Sequence, residues 1–412
     1  MSYLSPSQLR SVTDSIFSQY DYLTDIKAKL ENEVSKLRSS IEEQISMVVA
    51  LKNDFVSLNT EGSFRKDDIA SPPSSNSKEM QDQSESDQEG DVIETSNDIN
   101  KPLIINLDAE IVDTSVITST AFSPDGKVLA IGSKRTIRVY NINTDQFDFE
   151  YSISDETENN VHIRSIAWTR NGTVLLCGGE DHVLYAFDVK NKALLKSFKA
   201  SEGEVYQVQS SKQGSFFAAV TGDGKLTAWN SADFSLMFRI SRDSSSQMIA
   251  ASLSISEDDK YIAVGYTDQH ISLVDVKLQK TVFETPAHTK GVFAVKFLSG
   301  INMLASASLD NSIIVWDIVF NNDTVSLKER YTLNEHKDFV LSIDYDPKRM
   351  ILLSGSKDTT ARITSIEQGE MQYMIKGHTN AIISVSFNPH LDMFCTGSGD
   401  KSVKLWSYAS EE

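Results

Sequence analysis

Between residues 134 and 406 the chain states one short pattern seven times: a turn residue, then, six positions later, a residue that is large or apolar in all but one repeat. The seven versions are SKRTIRVYN with Tyr140, EDHVLYAFD with Phe187, GDGKLTAWN with Trp229, TDQHISLVD with Val274, LDNSIIVWD with Trp316, KDTTARITS with Thr364 and GDKSVKLWS with Trp406. The second positions are spaced by 47, 42, 45, 42, 48 and 42 residues. That period matches a four-stranded propeller blade of roughly 40–45 residues. Alternating apolar runs such as VFAVKF, MLASAS and IIVWDI read as short strands inside each repeat. The expected fold is an all-β, seven-bladed propeller over residues 102–412. Only a few residues, up to Glu412, follow the third strand of the seventh repeat, which leaves that blade without its outer strand. Pro102-Leu103-Ile104-Ile105-Asn106-Leu107 is a β-type run with no blade of its own. Residues 102–107 are therefore expected to complete the last blade and close the ring, leaving only short, protected edges.

Three repeats place a histidine 22 residues before the turn aspartate: His288 with Asp310, His336 with Asp358 and His378 with Asp400. In two of them a tryptophan, Trp316 or Trp406, follows the aspartate by six. These sets resemble the buried hydrogen-bond network of WD-repeat blades, in which a strand Ser or Thr is the fourth member. The carboxylate would accept from the imidazole and from backbone N–H groups, and the indole would donate into the same network; unsatisfied, such buried groups would cost several kcal/mol. Each histidine belongs to a different blade, too far from the others to converge on one metal ion. Only Trp316-Asp317 is a true Trp-Asp pair; Thr364-Ser365, Lys134 and Val274 depart from the pattern in blades six, one and four. Those blades are expected to be held mainly by packing.

The preceding sequence has a different character. From Ser5 to Asn59 there is no glycine, and Pro6 is the only proline, early in a first turn. Apolar residues recur at three- and four-residue steps, and Leu23, Ile26, Leu30, Val34, Leu37 and Ile41 form the seam of a coiled coil. A four-residue step from Leu30 to Val34 reads as a stutter, and Gln19 and Gln44 occupy seam positions. A helix of about 50 residues would run about 75 Å, so residues 1–59 are expected to oligomerise; a helical hairpin packed on the propeller is the alternative. Residues 60–101 form an acidic linker: positions 61–100 hold eleven acids against three bases and almost no large apolar residue. Such a stretch is expected to be disordered, either as a solvated spacer or as a tail for basic partners.

The net charge of −19 argues against direct DNA or anionic-membrane binding. Two cysteines, Cys177 and Cys395, imply no disulfide framework. No secretory leader and no apolar stretch long enough to span a membrane is read from the sequence. There is no G-x-S-x-G, P-loop, H-E-x-x-H or C-x-x-C, so neither catalysis nor a cofactor or metal is expected.

Specific strings resemble the fungal Tup-type (Tup/Groucho class) general transcriptional corepressors. They are His336-Lys337-Asp338-Phe339-Val340-Leu341-Ser342 with Leu353-Ser354-Gly355-Ser356-Lys357-Asp358, then Ile383-Ser384-Val385, Thr396-Gly397-Ser398-Gly399-Asp400 and Leu405-Trp406-Ser407-Tyr408. Blade two adds Ile163-Arg164-Ser165-Ile166 and Glu180-Asp181. The resemblance implies a nuclear, tetrameric scaffold with a TPR-repeat adaptor, DNA-binding repressors, histone tails and histone deacetylases as partners, and no direct reading of DNA bases. It also implies protein binding by the narrow top face around the channel, where Thr118, His162, Ser165, Glu180, Phe293, Lys357 and Asn380 match by motif. His162 and Phe293 stand where that family tends to place tyrosine. The acidic linker replaces the family's long polar middle region. A G-protein β-like propeller, or another WD-repeat assembly scaffold, is the competing expectation.

Overall fold

The computed structural model describes residues 93–95, 102–153, 162–242, 248–321 and 324–410. The seam residues Leu23 to Ile41 and the acidic linker, apart from residues 93–95, lie outside the described residues. The described strands form seven antiparallel sheets. From the innermost strand outward, blade one comprises Ser119–Phe122, Val128–Gly132, Thr136–Asn141 and Gln146–Ser152. Blade two comprises Ile163–Trp168, Val174–Gly179, Val183–Asp188 and Ala193–Lys199, and blade three Val205–Ser210, Phe216–Thr221, Lys225–Asn230 and Leu236–Ser241. Blade four comprises Ala250–Ile255, Tyr261–Tyr266, His270–Asp275 and Lys280–Pro286, and blade five Val292–Leu298, Met303–Ser308, Ile313–Asn321 and Thr324–Leu333. Blade six comprises Val340–Asp346, Ile351–Ser356, Ala361–Ser365 and Glu370–Ile375. Blade seven comprises Ile382–Phe387, Met393–Ser398, Ser402–Ser410 and, as its outermost strand, Leu103–Val112. The innermost strands touch in sequence, and that of blade seven returns to that of blade one.

The closing strand is longer than the run 102–107 suggests, because a β-bulge between Leu107 and Ala109 lets one strand serve two cores. Residues 105, 107, 109 and 111 would share a face in an unbroken strand. The extra residue, Asp108, reverses that alternation. Ile105 and Leu107 consequently pack with Tyr373, Phe387, Trp406 and Tyr408 between blades six and seven. Ala109 and Ile111 pack with Ile117, Leu129 and Leu405 between blades seven and one. The whole core is divided in this way, into seven apolar clusters that each sit between two adjacent blades.

One feature departs from a linker running to residue 101. Ile93–Thr95 adds a fifth strand to blade six, pairing Ile93 with Ile375 and Thr95 with Tyr373. Ile93 packs against the cluster between blades six and seven, and Glu94 pairs with Lys376. An outer edge with free N–H and C=O groups beside apolar side chains is a template for such an addition.

The innermost strands expose their channel-side backbone N–H groups, and neighbouring blades satisfy many of them through side chains. Ser119 Oγ accepts from Ile166 N at 3.1 Å, Ser165 Oγ from Val208 N at 3.0 Å, and Gln207 Oε1 from Leu253 N at 2.7 Å. Ser254 Oγ accepts from Phe297 N at 3.0 Å, Ser342 Oγ from Val385 N at 3.1 Å, and Ser384 Oγ from Thr120 N at 2.9 Å. The remaining junction, blade five to blade six, is bridged by Lys296 Nζ and Asp344 Oδ1 at 2.6 Å. Every blade is thus tied to the next at the channel wall, which fixes its rotation about the axis.

Candidate interaction surface

Three blades build the same buried relay from the top turn inward. In blade seven, Trp406 Nε1 donates to Thr396 Oγ1 at 3.0 Å, Thr396 Oγ1 lies 2.7 Å from His378 Nε2, and His378 Nδ1 lies 2.7 Å from Asp400 Oδ2. In blade five, Trp316 donates to Ser306 at 2.8 Å, Ser306 meets His288 Nε2 at 2.9 Å, and His288 Nδ1 meets Asp310 at 3.1 Å. In blade six, His336 lies 2.8 Å from Ser354 and 2.9 Å from Asp358, with no indole above. Each aspartate also accepts from the backbone N–H after the histidine and from the amide two residues on, which holds the turn.

Burial pushes His288, His336 and His378 below the usual imidazole range, although the facing aspartates pull the other way. A neutral ring fits the relay: Nδ1–H donates to the carboxylate while Nε2 accepts from the strand hydroxyl. Burial alone would raise Asp310, but donors from Ser312 and Thr289 together with His288 bring it down to about 2. Asp358 and Asp400 shift the same way for the same reasons.

Blades three, four and one carry polar ties of their own beside their packing. In blade three, Ser201 stands 22 residues before Asp223, where blades five, six and seven have histidine, and donates to it at 2.6 Å; Lys225 adds an ion pair at 2.7 Å. In blade four, Arg242 bridges Asp268 and Glu284 and lies over Tyr266. In blade one, Arg138 pairs with the buried Asp113 at the end of the closing strand. The 22-residue spacing was the signal available for Ser201; Arg242 and Arg138 follow no repeat-wide spacing.

The same turns, with the crossings between blades, form the top face, and two clusters stand on it. The first joins blades two and three. Arg164 Nη2 contacts Glu180 Oε1 at 3.1 Å and Glu204 Oε2 at 2.9 Å, with its guanidinium 4.6 Å from the Tyr206 ring centre. Glu180 also accepts from His162, at 3.1 Å from the backbone N–H and 3.2 Å from Nδ1. The second joins blades five and six, where the Phe339 ring lies between Lys357 at 4.7 Å and Lys290 at 5.4 Å, and Lys357 pairs with Asp338 at 3.4 Å. Phe293 lines the channel, and Asn380 is exposed beside Gly399, accepting from Ala381 N at 2.7 Å. Thr118 lines the channel with its hydroxyl donated to the Gly132 and Ile163 carbonyls.

Ser165 does not join them. It is 6% exposed and its hydroxyl holds Val208 of the next blade, so its place is the inter-blade ring and not the top face. Arg164, Glu204, Tyr206, Lys290 and Phe339 were missed. Arg164 and Phe339 lie in the very strings that carry the family resemblance, but only the fold shows which of their neighbours they meet.

Among the described residues no group of three or more His, Cys, Asp or Glu side chains is placed to hold a metal, and Cys177 and Cys395 are buried and unpaired. No described helix is long and apolar enough to cross a membrane.

The family model "WD domain, G-beta repeat" matches residues 106–141, 154–188, 279–317, 327–365 and 369–407. Those segments correspond to blades one, two, five, six and seven; blades three and four fall between them and are evident from the structure. The chain is 25% identical over 200 residues to Methylosome protein WDR77 of Xenopus laevis, covering 48% of this chain and 56% of that protein. It is 22% identical over 270 residues to Transcription factor unc-37 of Caenorhabditis elegans, covering 65% and 41% respectively. It is 29% identical over 104 residues to General transcriptional corepressor tupA of Dictyostelium discoideum, covering 25% and 18%. In these comparisons the chain spans about half or less of each relative's length. The likeness extends over WD-repeat proteins of several kinds and is not specific to the Tup-type corepressors. The chain is a divergent WD-repeat β-propeller protein, related to several WD-repeat regulators.

Proposed function

We propose that the protein is an assembly scaffold whose top face docks segments of partner proteins at two anchors, the Arg164–Tyr206 cluster and Phe339 between Lys290 and Lys357. The observation that carries this reading is the pairing of an aromatic ring with a cation at each anchor, braced by Glu180 and Glu204 in one and by Asp338 in the other. Aromatic and arginine side chains held rigid at a surface are the residue types that dominate binding energy in interfaces. The surrounding carboxylates suit a partner segment bearing Lys or Arg.

The test is co-purification from cells with the full chain, comparing wild type with Arg164→Glu and Phe339→Ala. Partners should be lost from both variants while their thermal midpoints stay at the wild-type value. Retention of every partner by both variants would refute the reading.

A transcriptional role is the narrower reading, supported by the likeness to a transcription factor and a general transcriptional corepressor. Under it the chain works in the nucleus, self-associates as a tetramer through the seam Leu23–Ile41, and joins a TPR-repeat adaptor to DNA-bound repressors, histone tails and deacetylases. Recovery of such proteins with the wild-type chain supports that role. Recovery of an unrelated assembly keeps the scaffold and removes the corepressor.

A further inference from the structure

The central channel has a volume of about 810 Å³ and a charge unlike that of the chain around it. Its charged lining residues are Arg164, Arg170, Lys212, Lys296 and Lys348 against Asp344 and Asp346, in a protein of net charge −19. Arg164 lies at the top and is paired with Glu180 and Glu204. The other four cations lie toward the lower mouth, on the ends of innermost strands or the turns after them.

Of those four, Lys296 pairs with Asp344, whose other oxygen accepts from Phe387 N at 2.7 Å. Asp346 is engaged by Tyr408 Oη at 3.0 Å and by Arg349 at 3.6 Å. Arg170 donates to the Lys212 carbonyl and Lys348 to the His390 carbonyl at 3.3 Å, contacts that neutralise no charge. Lys212 is half-buried, and among the described residues no carboxylate lies within ion-pairing distance of its Nζ. Asp259 accepts from the Lys212 and Gln213 backbone N–H groups at 2.7 and 3.1 Å, and Glu257 from Gly300 N at 3.0 Å. The neighbouring Lys296 ammonium, and then burial, lower Lys212 to about 8 against the pull of Asp344, Glu257 and Asp259. A charge left in this state is an energetic cost that an incoming anion would relieve.

We propose that the lower mouth of the channel is a binding site for a small phosphorylated molecule, held by Lys212 with Arg170, Lys296 and Lys348. Among the described residues Arg170, Lys212 and Lys348 make no ion pair, and a phosphate ester brings up to two charges and three acceptor oxygens where a carboxylate brings one charge. The cavity is of the size that takes small ligands, roughly 300–1,000 Å³. The site lies at the opposite end of the channel from the docking face and does not depend on it.

Two measurements on the full chain test this. Inorganic phosphate and inositol hexakisphosphate are titrated calorimetrically into wild type and Lys212→Met at low chloride. Inositol hexakisphosphate should bind wild type at one site and at least about tenfold more tightly than the variant, a difference of about 1.4 kcal/mol. Lysine acetylation of the wild type at pH 8, read by mass spectrometry, should mark Lys212 early and be suppressed there by the same probe. The second measurement needs no variant to fold. Absence of saturable binding, equal binding by a folded Lys212→Met, or Lys212 labelling unchanged by the probe overturns the proposal.

Discussion

Replacing Thr396 by Val isolates the relay of blade seven. Thr396 is fully buried, and valine keeps its branched shape while exchanging hydroxyl for methyl. Two partners lose their contact at once: Trp406 Nε1, which donates to the hydroxyl at 3.0 Å, and His378 Nε2, 2.7 Å from it. A buried polar group left without a partner costs about 1–3 kcal/mol. Two such groups, less roughly 1 kcal/mol for the added apolar burial, give a destabilisation of about 1–5 kcal/mol. Blade six supplies an internal comparison, because Ser354 meets His336 with no indole above it, its other contact being the Arg362 carbonyl at 3.5 Å. Ser354→Ala should therefore cost about half as much, roughly 1–2 kcal/mol. Equilibrium urea unfolding of the full chain, followed by far-ultraviolet circular dichroism, measures both. Adding Trp406→Phe to Thr396→Val removes one orphan, so the double variant should be more stable than the sum of the singles by about 1 kcal/mol. A Thr396→Val protein within about 0.5 kcal/mol of wild type, or an additive cycle, would refute the relay as a source of stability.

Acid should weaken the propeller in two steps. The three relay histidines are held below 6.5 and the aspartates below 3.8, so the unfolded chain binds more protons in both ranges and stability falls with pH. The urea midpoint should decline as pH drops from about 7.5 through 6.5 and decline again below 3.8; an unchanged midpoint between about pH 7.5 and 5 contradicts the neutral-ring relay. Ser165→Ala should lower stability by about 1 kcal/mol and leave co-purifying partners unchanged, since its hydroxyl serves Val208 N; loss of partners at wild-type stability would return Ser165 to the docking face. Deleting Asp108 should strip the closing strand of one of its two cores, either Ile105 with Leu107 or Ile111. At about 2–5 kcal/mol for each large apolar side chain removed from a core, limited proteolysis should then cut the variant near residue 103 far faster than wild type, and equal cutting rates would count against the bulge as the device that closes the ring.

What the sequence disclosed of the fold was whatever repeats. The turn aspartates and the residues six beyond them recur because every blade makes the same hairpin, and even weak versions such as Lys134 with Tyr140 keep the spacing. The outer strand of blade seven was legible as a β-type run without a blade. Its end at Val112 was not read, although the alternation continues through Asp108 to Ile111; what the sequence hides is that the bulge at Asp108 turns the later residues toward a second core. Ile93–Thr95 was hidden in acidic surroundings, since three residues carry no period. Only the open edge of Glu370–Ile375 and the apolar surface of Tyr373 and Ile375 give Ile93 somewhere to go.

The surface was less legible than the fold for a physical reason that Ser165 makes plain. On an innermost strand one residue can face the channel mouth while its neighbour faces the next blade, and sequence position alone does not distinguish them. Arg164 and Ser165 are adjacent, yet one reaches Glu180 and Glu204 on the top face and the other holds Val208 N in the wall. The wall requires such residues: ring closure leaves each inner edge facing the axis, and its N–H groups need acceptors from the blade beside it. Serine and glutamine meet that need without charge at most junctions; between blades five and six the tie is instead an ion pair of Lys296 with Asp344, whose other oxygen accepts from Phe387 N of blade seven. That exchange puts an ammonium into the channel beside Lys212, so the seam that completes the ring also creates the uncompensated charge at its lower mouth.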